Sequence, residues 1–126
     1  MADRWKILIL DREEDVLLRL EHVLETAGFD TTVAWHTDAF YRYFTEREYD
    51  LYIIGHRPPE TDAAEVLRTV ANRHTPCIVL NSHPRFPMQE EYFHALGAHA
   101  VLSKWDAQVT ECVRKALPGL EGTRAS

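Results

Sequence analysis

The sequence has few of the features that mark membrane, secreted or nucleic-acid-binding proteins. It contains two cysteines, no apolar run near the roughly 18 residues of a membrane span, and no apolar N-terminal segment typical of a signal peptide. Its net charge of −6 argues against direct contact with nucleic acid, which requires a basic surface. We therefore predict a cytoplasmic domain that contacts neither nucleic acid nor membrane, with Cys77 and Cys112 as free thiols.

A regular alternation of apolar and amphipathic segments is what the sequence does contain. Five short apolar segments alternate with five helical ones, which is typical of a parallel β-sheet covered by helices on both faces. Gly28 and Gly97 follow two predicted helices, where a positive φ is common. Asp62 and Asp106 are predicted to cap the third and fifth helices. We expect one α/β domain over residues 1–118 and a polar tail or linker at residues 119–126.

Three of the predicted strands run into residues that could form a site. The first ends at Asp11, the third at Gly55 and the fifth at Lys104. Together with Ala27-Gly28-Phe29, Tyr49-Asp50-Leu51, Thr75-Pro76 and Leu96-Gly97-Ala98, these make the chain similar to response-regulator receiver domains (CheY-like) from about Lys6 to Leu117. The resemblance implies a flavodoxin-like three-layer sandwich with a five-stranded parallel sheet and five helices. In that fold the ends of the first, third and fifth strands meet.

The resemblance also implies a phosphorylation pocket, and this sequence departs from it at most positions. The pocket comprises Asp11, Arg12, Gly55, Asn81 and Lys104. Asp11 matches a magnesium-binding acid and Lys104 the pocket lysine, but Arg12 replaces the second acid, Gly55 the phosphoacceptor aspartate and Asn81 a hydroxyl residue. Glycine cannot attack a phosphoryl donor, and one acid among two cations disfavours magnesium. We expect no catalytic residue, no metal site, no cofactor and a loss of magnesium binding.

Arg12 has two possible roles in such a pocket. With Lys104 it could hold an anion near the strand ends. Alternatively it could contact Asp11 or a nearby glutamate and take the place of the metal's charge, which is the interpretation we favour.

Other residues leave further possibilities open. If the third strand is misaligned, Asp50 or Asp62 would be the acceptor. His36, His56 and His83 each follow a predicted strand and could gather to bind zinc or copper.

Four residues are candidates for a switch or interface: Val101, Trp105, Tyr92 and His99. Val101 stands where receivers place a signalling aromatic, and Trp105 replaces the proline that usually follows the lysine. A cis bond before a non-proline residue costs roughly 2.5–4 kcal/mol, so we predict a trans bond between Lys104 and Trp105. The indole then either partly covers the pocket or fills space beside the last helix. His99 stands where one subgroup has an acid in its dimer interface, so a homodimer is possible without that ion pair.

These features predict a receiver-like domain of a two-component or phosphorelay signalling system. It would not be an enzyme or be phosphorylated, and would act as a protein-interaction module. Its partner would be a histidine kinase, an output domain or another signalling protein. The alternatives are a functional response regulator with a non-standard phosphoacceptor, and a small-ligand or metal sensor built on the vacated pocket.

Overall fold

The computed structural model of the protein describes residues 4–82 and 87–117, so the predicted tail at residues 119–126 lies outside the described part. Five strands alternate with five α-helices, as the sequence predicted. In chain order they are β1 (Lys6–Leu10), α1 (Glu14–Thr26), β2 (Asp30–Ala34), α2 (Thr37–Glu46), β3 (Leu51–His56), α3 (Ala63–Val70), β4 (Cys77–Asn81), α4 (Pro87–Ala95), β5 (Ala100–Ser103) and α5 (Val109–Ala116). A short 3₁₀ turn, Ala71–Arg73, follows α3.

The strands form one parallel sheet in the order β2-β1-β3-β4-β5. This is the flavodoxin-like order, and the predicted three-layer α/β fold is confirmed. Because all strands are parallel, their carboxyl ends share one edge of the sheet. That edge carries the residues of the predicted pocket.

The sheet is buried on both faces, and alternate residues of β1 show why. Leu8 and Leu10 belong to one core cluster, which also includes Phe40, Leu67 and Phe93 from α2, α3 and α4. Ile7 and Ile9 point the other way, into a second cluster formed with α1 and α5. These four side chains are fully buried, which explains why β1 is continuously apolar after Lys6.

Three of the predicted helix-end signals are present, and a fourth is not. Gly28 and Gly97 have φ values of +101° and +108°, as predicted for helix ends, and Asp62 accepts a 3.0 Å bond from the Ala64 amide at the start of α3. The prediction that Asp106 caps α5 was wrong. Its carboxylate accepts a 2.8 Å bond from the Gln108 amide, closing a turn before the helix begins at Val109.

Two further sequence predictions can be compared with the described residues. Cys77 is buried and Cys112 is half-buried, and both are free thiols. Within residues 4–82 and 87–117, no helix has the length and apolar character needed to cross a membrane.

Candidate functional site

The site lies at the carboxyl edge of the sheet, where the fold gathers the ends of four strands. Asp11 directly follows β1, Gly55 is the penultimate residue of β3, Asn81 ends β4 and Lys104 follows β5. Asp11, Asn81 and Lys104 are buried polar residues. A buried charge needs a partner, so the ion pairs define the site.

Lys104 is held by two carboxylates. Its Nζ lies 3.3 and 3.2 Å from the two oxygens of Asp11 and donates a 2.7 Å hydrogen bond to Oε2 of Glu13. Asp11 also accepts a 2.8 Å bond from the Glu13 amide. Because the Lys104 side chain is only 3% exposed, these carboxylates supply its countercharge in place of water.

The two acids respond to this environment in opposite directions. Burial raises the pKa of Asp11 above its usual value, although the Glu13 amide and the Lys104 charge both oppose the shift. The hydrogen bond from Lys104 lowers the pKa of Glu13, which is more exposed to water. Glu13 is therefore the more readily ionised partner of the lysine.

Gly55 lies against the Asp11 carboxyl group. A Cβ atom placed on Gly55 would be 2.7 Å from the Asp11 carboxyl carbon, and closer still to Oδ2. Real Cβ atoms are essentially never that close to a non-bonded heavy atom. The space where a side chain at position 55 would begin is thus filled by Asp11.

Arg12 does not occupy the place that we favoured for it. It is exposed, and among residues 4–82 and 87–117 it forms no ion pair. Arg57, in the loop after β3, approaches instead, with its guanidinium 3.8 Å from Oε2 of Glu13. The correction has a simple cause: Arg12 and Glu13 are consecutive residues before α1, and Glu13 is the one that reaches Lys104.

A second polar network lies beside the ion pairs. His56 accepts a 3.1 Å bond from the Ala63 amide through Nδ1, and its Nε2 lies 3.4 Å from the Gln89 carboxamide. Gln89 in turn contacts Asn81 at 2.7 Å, and Phe93 packs edge-on against the imidazole at 5.0 Å between ring centroids. Burial lowers the pKa of His56, with the Lys104 charge acting in the same direction and Asp62 opposing it. The imidazole is therefore held neutral.

An open cavity of about 660 Å³ adjoins both networks. Its walls include Glu13, His56, Arg57, Pro58, Met88 and Gln89. The loop that supplies Arg57 is closed by paired backbone bonds between Arg57 and Thr61, at 2.9 and 2.8 Å.

Trp105 lies outside this cavity. The Lys104–Trp105 peptide is trans, which confirms that prediction, but the indole is not among the residues that line the cavity. The indole is 54% exposed. The guanidinium of Arg19 on α1 lies over the indole, 5.8 Å from the ring centroid. Arg19 also donates a 2.9 Å bond to the Asp106 carbonyl. Trp105 therefore packs beside α1, and the suggestion that it covers the pocket was wrong.

Of the three histidines that could gather at the strand ends, the structure places one in the site. His56 lies in the site, His36 is an exposed residue at the start of α2, and His83 lies outside the described residues. Within the described ranges, no three His, Cys, Asp or Glu side chains are arranged to hold a metal ion.

The candidate switch residues lie on or beside β5 and α4. Val101 is half-buried and packs against the core cluster that contains Phe93. Tyr92 is exposed, and its hydroxyl accepts a 2.6 Å bond from Arg68 on α3. His99 is exposed immediately before β5.

Sequence reasoning missed three residues that build the site: Glu13, Arg57 and Gln89. Each lies at or near the carboxyl edge of the sheet: Glu13 three residues after β1, Arg57 one residue after β3, and Gln89 in the first turn of α4. That position is the signal that could have identified Glu13 and Arg57.

Comparisons with solved structures give the same fold. The chain is similar to the signal receiver domain of an HD domain-containing protein from Pseudomonas fluorescens Pf-5, with 25% identity, a TM-score of 0.81, and coverage of 94% of this chain and 98% of that one. A CheY-like receiver domain protein from Methanospirillum hungatei JF-1 has a TM-score of 0.83 at 17% identity, over 94% and 98% of the two chains. The response regulator TrrA from Thermotoga maritima, solved in complex with magnesium and BeF, has a TM-score of 0.77 at 20% identity, over 90% and 99%.

No protein-family model matches the sequence, and no curated protein matches it. The chain has the CheY-like fold of response-regulator receiver domains, and its similarity to them is found by comparing structures.

Proposed function

We propose that this chain is a receiver-like domain of a two-component or phosphorelay system that is not phosphorylated and regulates through protein contacts. The observation that carries the proposal is the packing of Asp11 against Gly55. At the position where a receiver has its phosphoacceptor, this chain has neither a nucleophile nor the space for one.

The charges of the site support the same conclusion. Asp11 and Glu13 are balanced by Lys104 and Arg57, so the group is formally neutral before any cation is added. Magnesium prefers carboxylate oxygens and dehydrates reluctantly. To reach these two carboxylates it would have to displace a buried lysine that already contacts both. The residues present do not fit the magnesium of a working receiver, and we propose no catalytic role for the site.

Two other acids are poor substitutes for the missing acceptor. Asp50 accepts a 2.8 Å bond from the Lys6 amide at the start of β1, near the opposite edge of the sheet. Asp62 caps α3. Neither position supports the alternative of a functional receiver with a non-standard acceptor.

The proposed partner is another protein of the signalling system, such as a histidine kinase or an output domain. Exposed apolar side chains are present for such contacts, namely Leu18, Trp35, Met88, Tyr92 and Trp105. A homodimer remains part of the proposal. We place the domain in the cytoplasm, where these systems meet their partners.

Exposure to a phosphoryl donor tests the proposal. The purified protein is incubated with acetyl phosphate in the presence of magnesium, and intact mass is followed by peptide mapping. A receiver that retains its aspartate serves as the positive control. We expect no modification of the wild type, and none of Gly55→Asp, because the new carboxylate would compete with Asp11 for the same space. A phosphoryl group on any residue of the site would contradict the proposal.

A further inference from the structure

The cavity beside the ion-pair cluster has the size of a small-molecule site. Its volume of about 660 Å³ lies within the usual range for ligand pockets, roughly 300–1,000 Å³. Pro58 and Met88 contribute apolar wall, whereas Arg57 and Gln89 contribute hydrogen-bonding groups. Such a wall fits a compact ligand with one apolar part and a few polar atoms.

The polar wall includes two neutral hydrogen-bond donors beside Arg57. Because Nδ1 of His56 accepts from the Ala63 amide, the proton of the neutral imidazole is on Nε2, which must donate. The Gln89 oxygen accepts a 2.7 Å bond from Nδ2 of Asn81, so the Gln89 NH₂ group lies on the side of His56, 3.4 Å from Nε2. Two donors face each other there, and neither can satisfy the other. Gln89 thus offers a neutral donor to a ligand.

Arg57 supplies the charge. Its side chain is half exposed, and its contact with Glu13 is a loose 3.8 Å. A guanidinium carries five N–H donors in a planar fork that matches a carboxylate, so most of its donors are available. Lys104 cannot contribute, because it is buried between Asp11 and Glu13.

These positions of charged and neutral groups on the cavity wall favour some anions over others. A dianionic phosphate would meet one partly compensated cation and the carboxylate of Glu13 beside it. A carboxylate carries a single charge and matches the planar geometry of Arg57. A second oxygen on the ligand would accept from the Gln89 amide.

We propose that the cavity binds a small organic monocarboxylate that carries a second oxygen acceptor and a compact apolar group. Arg57 holds the carboxylate, Gln89 donates to the second oxygen, and Pro58 and Met88 contact the apolar part. The inference is independent of the proposed lack of phosphorylation, since it is tested without magnesium or a phosphoryl donor.

An NMR titration of the full chain with 3-methyl-2-oxobutanoate tests the inference. The probe has a carboxylate, an oxo group and a branched apolar end, and a ligand of its size can reach a Kd of about 1 mM. We expect saturable shifts at Arg57 and Gln89. The neutral methyl ester, which keeps the shape and loses the charge, should bind at least about tenfold more weakly, and inorganic phosphate should bind more weakly as well.

Two variants complete the design. Arg57→Gln should weaken binding of the probe about tenfold or more. Arg4→Gln is the matched control, because Arg4 is also exposed and loosely paired, with Asp30 at 3.7 Å, but does not line the cavity. It should bind as the wild type does. The inference is overturned by an absence of saturable shifts, by equal affinities of wild type and Arg57→Gln, or by tighter binding of phosphate or the ester.

Discussion

Replacing Gly55 with alanine isolates the close approach of Asp11. No positive φ applies at this position, so the backbone accepts alanine, and removing a glycine from a strand alone would stabilise the fold by about 0.5–1 kcal/mol. The new methyl group would, however, overlap the Asp11 carboxyl group. Asp11 must move away from Lys104, from the Glu13 amide, or from both.

The expected cost follows from the contacts that Asp11 makes. A hydrogen bond to a charged group contributes about 1.5–3 kcal/mol, and overpacking a buried site costs about 1–3 kcal/mol. We expect Asp11 to lose one of its two contacts and to keep some strain, while the alanine itself stabilises the strand. The net loss in the free energy of unfolding is then about 2–4 kcal/mol. That is a large share of a typical total stability of about 5–15 kcal/mol.

A double-mutant cycle with Asp11→Ala decides whether this mechanism is correct. Urea unfolding followed by circular dichroism gives the free energy of each variant. Without the carboxyl group the two shortest contacts are gone and the 3.2 Å contact with the Asp11 Cβ is the nearest that remains, so Gly55→Ala should then cost less than about 1 kcal/mol. The two substitutions should therefore be coupled by about 2 kcal/mol.

Gly28→Ala provides the control for the cycle. Its added Cβ would meet nothing within 4 Å, and its cost arises from a φ of +101°, so Asp11→Ala should not change that cost. The reasoning is refuted if Gly55→Ala is as stable as the wild type, or if its cost is the same with and without the Asp11 carboxyl group.

Three further predictions concern the titratable groups. Glu13→Gln should lower stability by about 1 kcal/mol at neutral pH, a modest value because the side chain is partly exposed. Lys104 lowers the pKa of Glu13 from its ordinary 4.5. The difference in stability between this variant and the wild type, measured by urea unfolding, should therefore persist above pH 4.5. It should vanish as the pH falls through the pKa of Glu13 in the folded protein. Burial lowers the pKa of His56 from 6.5, so its neutral form contributes stability above pH 6.5, and this contribution is lost on acidification. His56→Gln should therefore show a flatter pH dependence of the free energy of unfolding than the wild type. Parallel curves for the two proteins would contradict this. Burial raises the pKa of Cys77 to about 12, so a thiol reagent should modify only Cys112 in the folded protein and both cysteines in urea, as mass spectrometry can establish.

The fold could be predicted because its signals are local. The alternation of apolar and amphipathic segments, and the glycines at positions 28 and 97, each reflect requirements of a single element. Strand order is not local, and it followed from the resemblance to receiver domains because periodicity does not say which strands are neighbours. Asp106 shows the limit of local signals: the same side chain can cap a helix or close a turn, and the path of the chain into α5 decides between them.

The site could be predicted only as far as the strand ends. Asp11, Gly55 and Lys104 meet because parallel strands bring their carboxyl ends to one edge. Spacing does not say which side chain of the following loop turns inward. For that reason Arg12 was expected near Asp11, whereas Glu13 makes the contact.

The departures from a working receiver are physically linked. With glycine at position 55, the Asp11 carboxyl group can pack over the strand, and Lys104 remains buried without an acceptor aspartate beside it. A buried lysine needs anionic partners, and Glu13 supplies the second one, with Arg57 offsetting the added charge. An aspartate introduced at position 55 would meet a filled space and bring a third acid to a neutral group. The cluster is therefore a self-contained arrangement of charges, and introducing an aspartate at position 55 should destabilise it.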